Sequence, residues 1–125
     1  MLITGEGSHQ LTANDVGAMG RFGAKVIVFV LNNSGYLVER ALEVDPDCTY
    51  SDLSSWNYAE FLKALGCADW YTARVTTLGE LDEAMEAARA SQTGAYIEIM
   101  SDKMDMPPAL AFAHGRLKAM YGETP

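Results

Sequence analysis

The chain has 125 residues, of which 49% are hydrophobic and 21% charged, with a formal net charge of −8. That length suits one domain able to bury roughly two thirds of its unfolded surface, and the composition is that of a folded chain. The acidic balance argues against a nucleic-acid partner, which needs a basic face to neutralise phosphates. There is also no apolar run long enough to span a membrane and no basic-then-apolar leader. Cys48 and Cys67 have neither CxxC spacing nor a histidine pair nearby, as expected of reduced thiols in a cytoplasmic protein.

In chain order, residues 1–4 are an apolar strand that stops at Gly5-Glu6-Gly7-Ser8, read as a glycine turn. The strand opens with no element before it, which suggests a piece of a longer protein. Residues 11–22 carry helical spacing and contain Gly17 and Gly20. Each glycine costs about 1 kcal/mol relative to alanine, so the pair predicts close packing or the approach of a cofactor. Residues 25–31, KVIVFVL, are a β-branched run predicted to be a strand buried on both faces of a parallel sheet. A second polar turn, Asn32 to Tyr36, leads into a short helix over residues 36–42, and residues 43–55 read as a surface loop.

Residues 57–65 are predicted helical, ended by Gly66 as a left-handed cap. Residues 70–75 form a strand. Thr77-Leu78-Gly79-Glu80 has capping-box spacing before a helix to residue 90 with Leu81, Met85 and Ala88 on one face. Residues 95–100, AYIEIM, are a third clear strand, and a loop follows over residues 101–108. A last helix over residues 109–121 places Leu110, Ala113, Leu117 and Met120 on one side. Alternating strands and helices predict an α/β fold, a parallel sheet flanked by helices on both faces.

Ligands of open α/β sheets bind beyond the carboxyl edge of the strands, and both polar turns are predicted to land on that edge. A glycine turn entering a helix suits phosphate oxygens, although GxGS also occurs in ordinary tight turns. GEGSHQ lacks the third glycine of the dinucleotide fingerprint. A helix N-terminus contributes only about 0.3–2 kcal/mol toward an anion, too little to hold a diphosphate beside Glu6 in an acidic chain. A divalent cation resolves that conflict. The donors on offer are the Glu6 carboxylate, the Asn33 amide oxygen and backbone carbonyls of residues 32–35, an all-oxygen set that favours Mg²⁺.

Twenty-four residues separate Gly7 from Asn32. This pattern resembles the thiamine diphosphate signature, written in that family as GDG, a spacer of similar length, then NN. With GSHQLTANDVGAMGRFG, VFVLNNSGYLVERAL and SSWNYAEF, most of the chain resembles the C-terminal diphosphate-binding domain of 2-oxo acid decarboxylases of the pyruvate and indolepyruvate type. The resemblance implies that Glu6, Asn33 and the Gly35 carbonyl hold the metal. It also implies that Gly5, Gly7, Ser8, Asn33, Gly35 and the backbone around Leu37 and Val38 bind the cofactor.

Glu39 matches the catalytic glutamate of the family's GYxxE, which works on the substrate side of the thiazolium. Acetolactate synthase-type carboligases lack it, so Glu39 favours decarboxylation; otherwise it is a solvated acid at a helix start. Where the family has GDG this chain has Gly5-Glu6-Gly7, and the extra methylene predicts weaker metal affinity or contact through water. The alternative readings are a non-catalytic module that kept the fold and lost the metal site, or a fragment of a thiamine diphosphate-dependent carboligase. The family also implies a small 2-oxo acid substrate and a second domain, usually from another subunit, for the aminopyrimidine; apolar surfaces that the missing domains would cover are expected to favour a homo-oligomer. The chain alone is therefore expected to be inactive.

His9 is expected to be exposed at the phosphate rim, and His114 to be structural. Ser8 with His9 and Cys48 with His114 lack the strand–turn–helix setting of a nucleophile elbow. Trp56, Tyr58 and Phe61 are expected to be packing residues. Met100, Met104 and Met106, around Pro107-Pro108, suggest an adaptable interface loop.

Overall fold

The apolar run that begins at Lys25 becomes a strand only at Ile27, and it forms the middle of a four-stranded sheet. The computed structural model describes residues 1–43 and 45–121. Val44, in the expected loop, and the side chain of Leu117, on the expected stripe of the last helix, lie outside the described residues. The chain divides into two units, Met1–Asn32 with Ser55–Ser101, and Asn33–Ser54 with Asp102–Pro125.

The first unit holds β1 (Leu2–Gly5), β2 (Ile27–Asn32), β3 (Tyr71–Val75) and β4 (Ala95–Met100). They lie in the order β1-β2-β4-β3, and every pairing is parallel. Side chains alternate across a strand, and the core divides accordingly. On one face Val28, Val30 and Tyr96 pack with Val16, Tyr58 and Leu62. These come from α2 (Asp15–Arg21) and α4 (Tyr58–Ala64). On the other, Phe29, Ile97 and Val75 meet Ala84 and Ala88 of α5 (Leu78–Ala90). Helices on both faces are thus present, each fully buried aliphatic contributing about 1.5–3 kcal/mol. Burial of β2 stops short of expectation at Leu31, which is 44% exposed.

The start of the first helix differs from the sequence reading. α1 spans Glu6–Thr12, so Glu6 to Ser8 are already helical and only Gly5, with φ −78° and ψ 152°, is extended. The chain then breaks at Ala13 and Asn14 before α2. Glycines in a first turn leave few interior hydrogen bonds at risk, and an acid such as Glu6 suits that end of the dipole. Gly17 and Gly20 serve close packing: Gly17 lies against Leu65, and Gly20 against the Cys67 thiol and the Trp70 indole.

Other local expectations hold. Asn57 caps α4 by accepting from the Glu60 N–H, and Gly66 follows the helix with φ +78°. Thr77 and Glu80 form the reciprocal capping box. Trp56 packs on Tyr58 and Phe61 with ring centroids 6.0 and 5.4 Å apart. Cys48 and Cys67 are free thiols.

The second unit contains α3 (Leu37–Leu42), a 3-10 turn (Thr49–Ser51) and α6 (Pro108–Tyr121). The segment expected as a surface loop is partly internal, because Ser51 is buried and Asp52 bridges Gly35 in antiparallel register. His114 Nδ1–H donates to the Ala41 carbonyl at 3.1 Å, tying α6 to α3 in a structural role. Along the expected side of α6, Leu110 and Ala113 are half-buried and Met120 is exposed. Among the described residues no helix is long and apolar enough to cross a membrane.

Candidate functional site

Because β1 and β2 are parallel neighbours with Gly5 opposite Leu31, both strands deliver their C-terminal residues to one edge of the sheet. Gly5 ends β1 there, and Glu6 and Gly7 are buried in the first turn of α1, while Ser8 is exposed. Asn32 ends β2 at the same edge and is buried. Asn33 is the next residue along the chain.

A set of polar groups, most of them buried, sits on the α1, α2 and α4 side of this edge. Asn32 Nδ2 donates to Glu98 Oε1 at 2.6 Å, and the Arg74 guanidinium lies 3.7 Å from the other Glu98 oxygen. Gln10 donates to the Tyr58 hydroxyl at 2.9 Å. His9, expected to be exposed, is instead only 4% exposed, and its Nε2 shares a 2.7 Å hydrogen bond with the Tyr96 hydroxyl. The cause is the earlier helix start: with α1 beginning at Glu6, His9 lies within the helix and turns to the core. A buried carboxylate such as Glu6 or Glu98 costs several kcal/mol unless hydrogen-bonded or balanced by a cation.

Burial pushes the His9 imidazole below its ordinary 6.5, and raises the Tyr96 phenol, with Tyr58 and Glu98 adding to the shift. The folded state therefore keeps His9 neutral where the unfolded chain would take up a proton. Stability is complete above the unfolded value and falls as pH drops from about 6.5 toward the folded value. Urea titrations at pH 7.5, 6.5 and 5.5 are expected to show that decline, and His9→Gln to flatten it. An equal slope in the variant would assign the decline to other groups.

In the second unit, residues 33–36 form the polar turn, with Ser34 at φ 65° and Gly35 buried. A Cβ at Gly35 would collide with the Arg40 guanidinium and the Ser51 carbonyl, so only glycine fits. The Tyr36 N–H donates to Ser51 O at 2.9 Å and the Leu53 N–H to Ser34 O at 3.4 Å. Leu37 is half-buried, whereas Val38 and Glu39 are exposed in the first turn of α3. Arg40, unmarked in the sequence reading, is fully buried and pairs with Asp52.

Within the first unit the structure brings Gly5, Glu6, Gly7 and Ser8 to the sheet edge where β2 ends. Within the second it groups Asn33, Gly35, Leu37, Val38 and Glu39 around one turn and the helix that follows. The sequence reading missed Tyr96 and Glu98 on β4. An acid inside the apolar run AYIEIM was the available signal for the latter.

A parallel α/β unit with oxygen-bearing residues at the carboxyl edge of its strands belongs to the broad class that binds ligands at that edge. Residues 1–99 match the family model described as "Thiamine pyrophosphate enzyme, C-terminal TPP binding domain", and the chain belongs to this family. It is 36% identical over 111 residues to an "Alpha-keto-acid decarboxylase" of Mycobacterium ulcerans (strain Agy99), covering 88% of this chain and 19% of that protein. Proteins of the same description from Mycobacterium avium (strain 104) and Mycobacterium tuberculosis (strain ATCC 25618 / H37Rv) are 35% and 34% identical, covering 88% of this chain and 20% of each. The chain thus spans about a fifth of the length of the curated relatives it matches.

Proposed function

We propose that residues 1–125 are the thiamine diphosphate- and Mg²⁺-binding domain of a larger cytoplasmic 2-oxo acid decarboxylase, inactive by itself and working as a homo-oligomer. The observation that carries the reading is the shared carboxyl edge of β1 and β2, where Glu6 follows one strand and Asn32 ends the other, with Asn33 next in the sequence. The family match and the description of the relatives support it.

The donor chemistry fits the metal. Glu6 offers a carboxylate, Asn33 an amide oxygen and Gly35 a backbone carbonyl, and hard oxygens few in number suit Mg²⁺ shared with a diphosphate. Among the described residues no three His, Cys, Asp or Glu side chains cluster as a metal site, a test that a set with one carboxylate does not meet. A side chain has no room at Gly35, so its backbone carbonyl is the oxygen it can offer a metal. Gly5, Gly7, Ser8, Leu37 and Val38 then line the diphosphate, with Ser8 adding a hydroxyl donor.

When bound, thiamine diphosphate supplies the electron sink for loss of CO₂ from a 2-oxo acid. The chain's own part is to hold the diphosphate end and to present the Glu39 carboxyl group on the substrate side.

Calorimetry of this chain with thiamine diphosphate tests the reading. Weak binding is expected with Mg²⁺ and none with chelator, and no turnover of pyruvate, phenylpyruvate or indolepyruvate. Absence of binding under both conditions would leave an interaction role in place of the cofactor site.

A further inference from the structure

We infer that Arg40 is a positioning residue for the metal-binding turn, its buried guanidinium fixing the backbone of residues 34 and 35 from within the second unit. The inference rests on the reading of that turn as a metal site.

Arg40 has no solvent exposure. Its Nη2 donates to the Ser34 carbonyl at 3.0 Å and to Asp52 Oδ1 at 2.5 Å, and the same group lies over the Cα of Gly35. Asp52 is in turn bonded by Lys103 at 2.9 Å, and Lys103 first, then Arg40, hold its carboxyl below the ordinary range. The Asp52 segment closes the clamp by bridging Gly35, while neighbouring Ser51 and Leu53 bond the turn's backbone. Ser34 is held at φ 65°, a conformation that side-chain-bearing residues rarely keep without support.

Stability does not explain this arrangement. Arg40 Nε and Nη1 and Ser51 Oγ have no hydrogen-bond partner among the described residues, although all are buried. A buried ion pair with donors left over is commonly matched or exceeded in stability by an apolar side chain of similar volume. Asp52 is 40% exposed and keeps Lys103 when Arg40 is removed, so no carboxylate is left buried and unpaired. What an apolar substitute loses is the Nη2 donor that joins Ser34 to Asp52 across Gly35.

Two opposite effects on metal affinity can be separated by sign. If Arg40 acted only as a nearby cation, its removal would tighten binding of a divalent ion. If it positions the turn, removal loosens binding.

Mn²⁺ titrations followed by electron paramagnetic resonance, in the presence of thiamine diphosphate, test this on the parent chain, Arg40→Met and Arg40→Lys. Both variants are expected to bind Mn²⁺ about tenfold more weakly. Arg40→Met should keep its melting temperature, and its Tyr36 and Leu53 amides should exchange faster. Arg40→Lys retains the charge without the planar fork, so it separates positioning from electrostatics and covers the case in which Arg40→Met does not fold. Parent-like or tighter Mn²⁺ binding in either variant overturns the inference and leaves the metal site standing. No metal-dependent binding by the parent overturns the site itself, and this inference with it.

Discussion

Glu6→Gln is expected to weaken Mg²⁺-dependent thiamine diphosphate binding by about a hundredfold, the upper end of what loss of a single metal-site partner costs. The substitution keeps shape and volume at a buried position and removes the one charged ligand in the proposed set. Neutral amide and carbonyl oxygens alone must then dehydrate a cation that gives up water reluctantly. Glu6→Asp should move affinity the other way. Mg²⁺ demands an octahedron at about 2.1 Å, and the shorter side chain is the one the family carries in GDG. Calorimetry of both variants reads this directly. Equal affinity in parent and Glu6→Gln would remove Glu6 from the metal site.

Gly94→Ala is expected to destabilise the first unit by about 3 kcal/mol, the upper end for overpacking, and to lower Tm by about 10 °C. Gly94 is buried immediately before β4, and a Cβ there would fall inside the Trp70 indole. The ring has little room to retreat, being 7% exposed and bounded on another side by Gly20 and Cys67. The backbone is equally held, since the Tyr71 N–H donates to Gly94 O at 3.2 Å. Trp70→Leu should recover part of the loss in the Gly94→Ala background, because the two side chains compete for one volume. Thermal and urea unfolding of the single and double variants provides the check. A Gly94→Ala protein within 0.5 kcal/mol of the parent, on the scale of ordinary surface substitutions, would contradict the packing described.

Where local chemistry decides structure, the sequence was legible. AYIEIM is β4 at the expected residues, Thr77 and Glu80 close their box, and Gly66 takes its left-handed turn. The parallel order with both faces covered followed from the apolar run in β2. What escaped was set by tertiary context. Gly5 and Gly7 looked like a turn, yet a helix that starts at Glu6 absorbs Gly7 and Ser8 and swings His9 inward.

Arg40 gave no local sign, because Asp52 and Ser51 reach it only through the return of the 3-10 segment. For the candidate site, residue types were readable from the two polar turns, and the second turn's bracing by Arg40 was not.

Paramagnetic relaxation by Mn²⁺ in the presence of thiamine diphosphate tests the central claim most directly, by recording which backbone amides lose intensity. The account predicts that amides of residues 5–8 and of residues 33–36 broaden together at the same sub-stoichiometric Mn²⁺, and recover together with chelator. Broadening of one segment without the other would show that Glu6 and Asn33 do not serve a single ion.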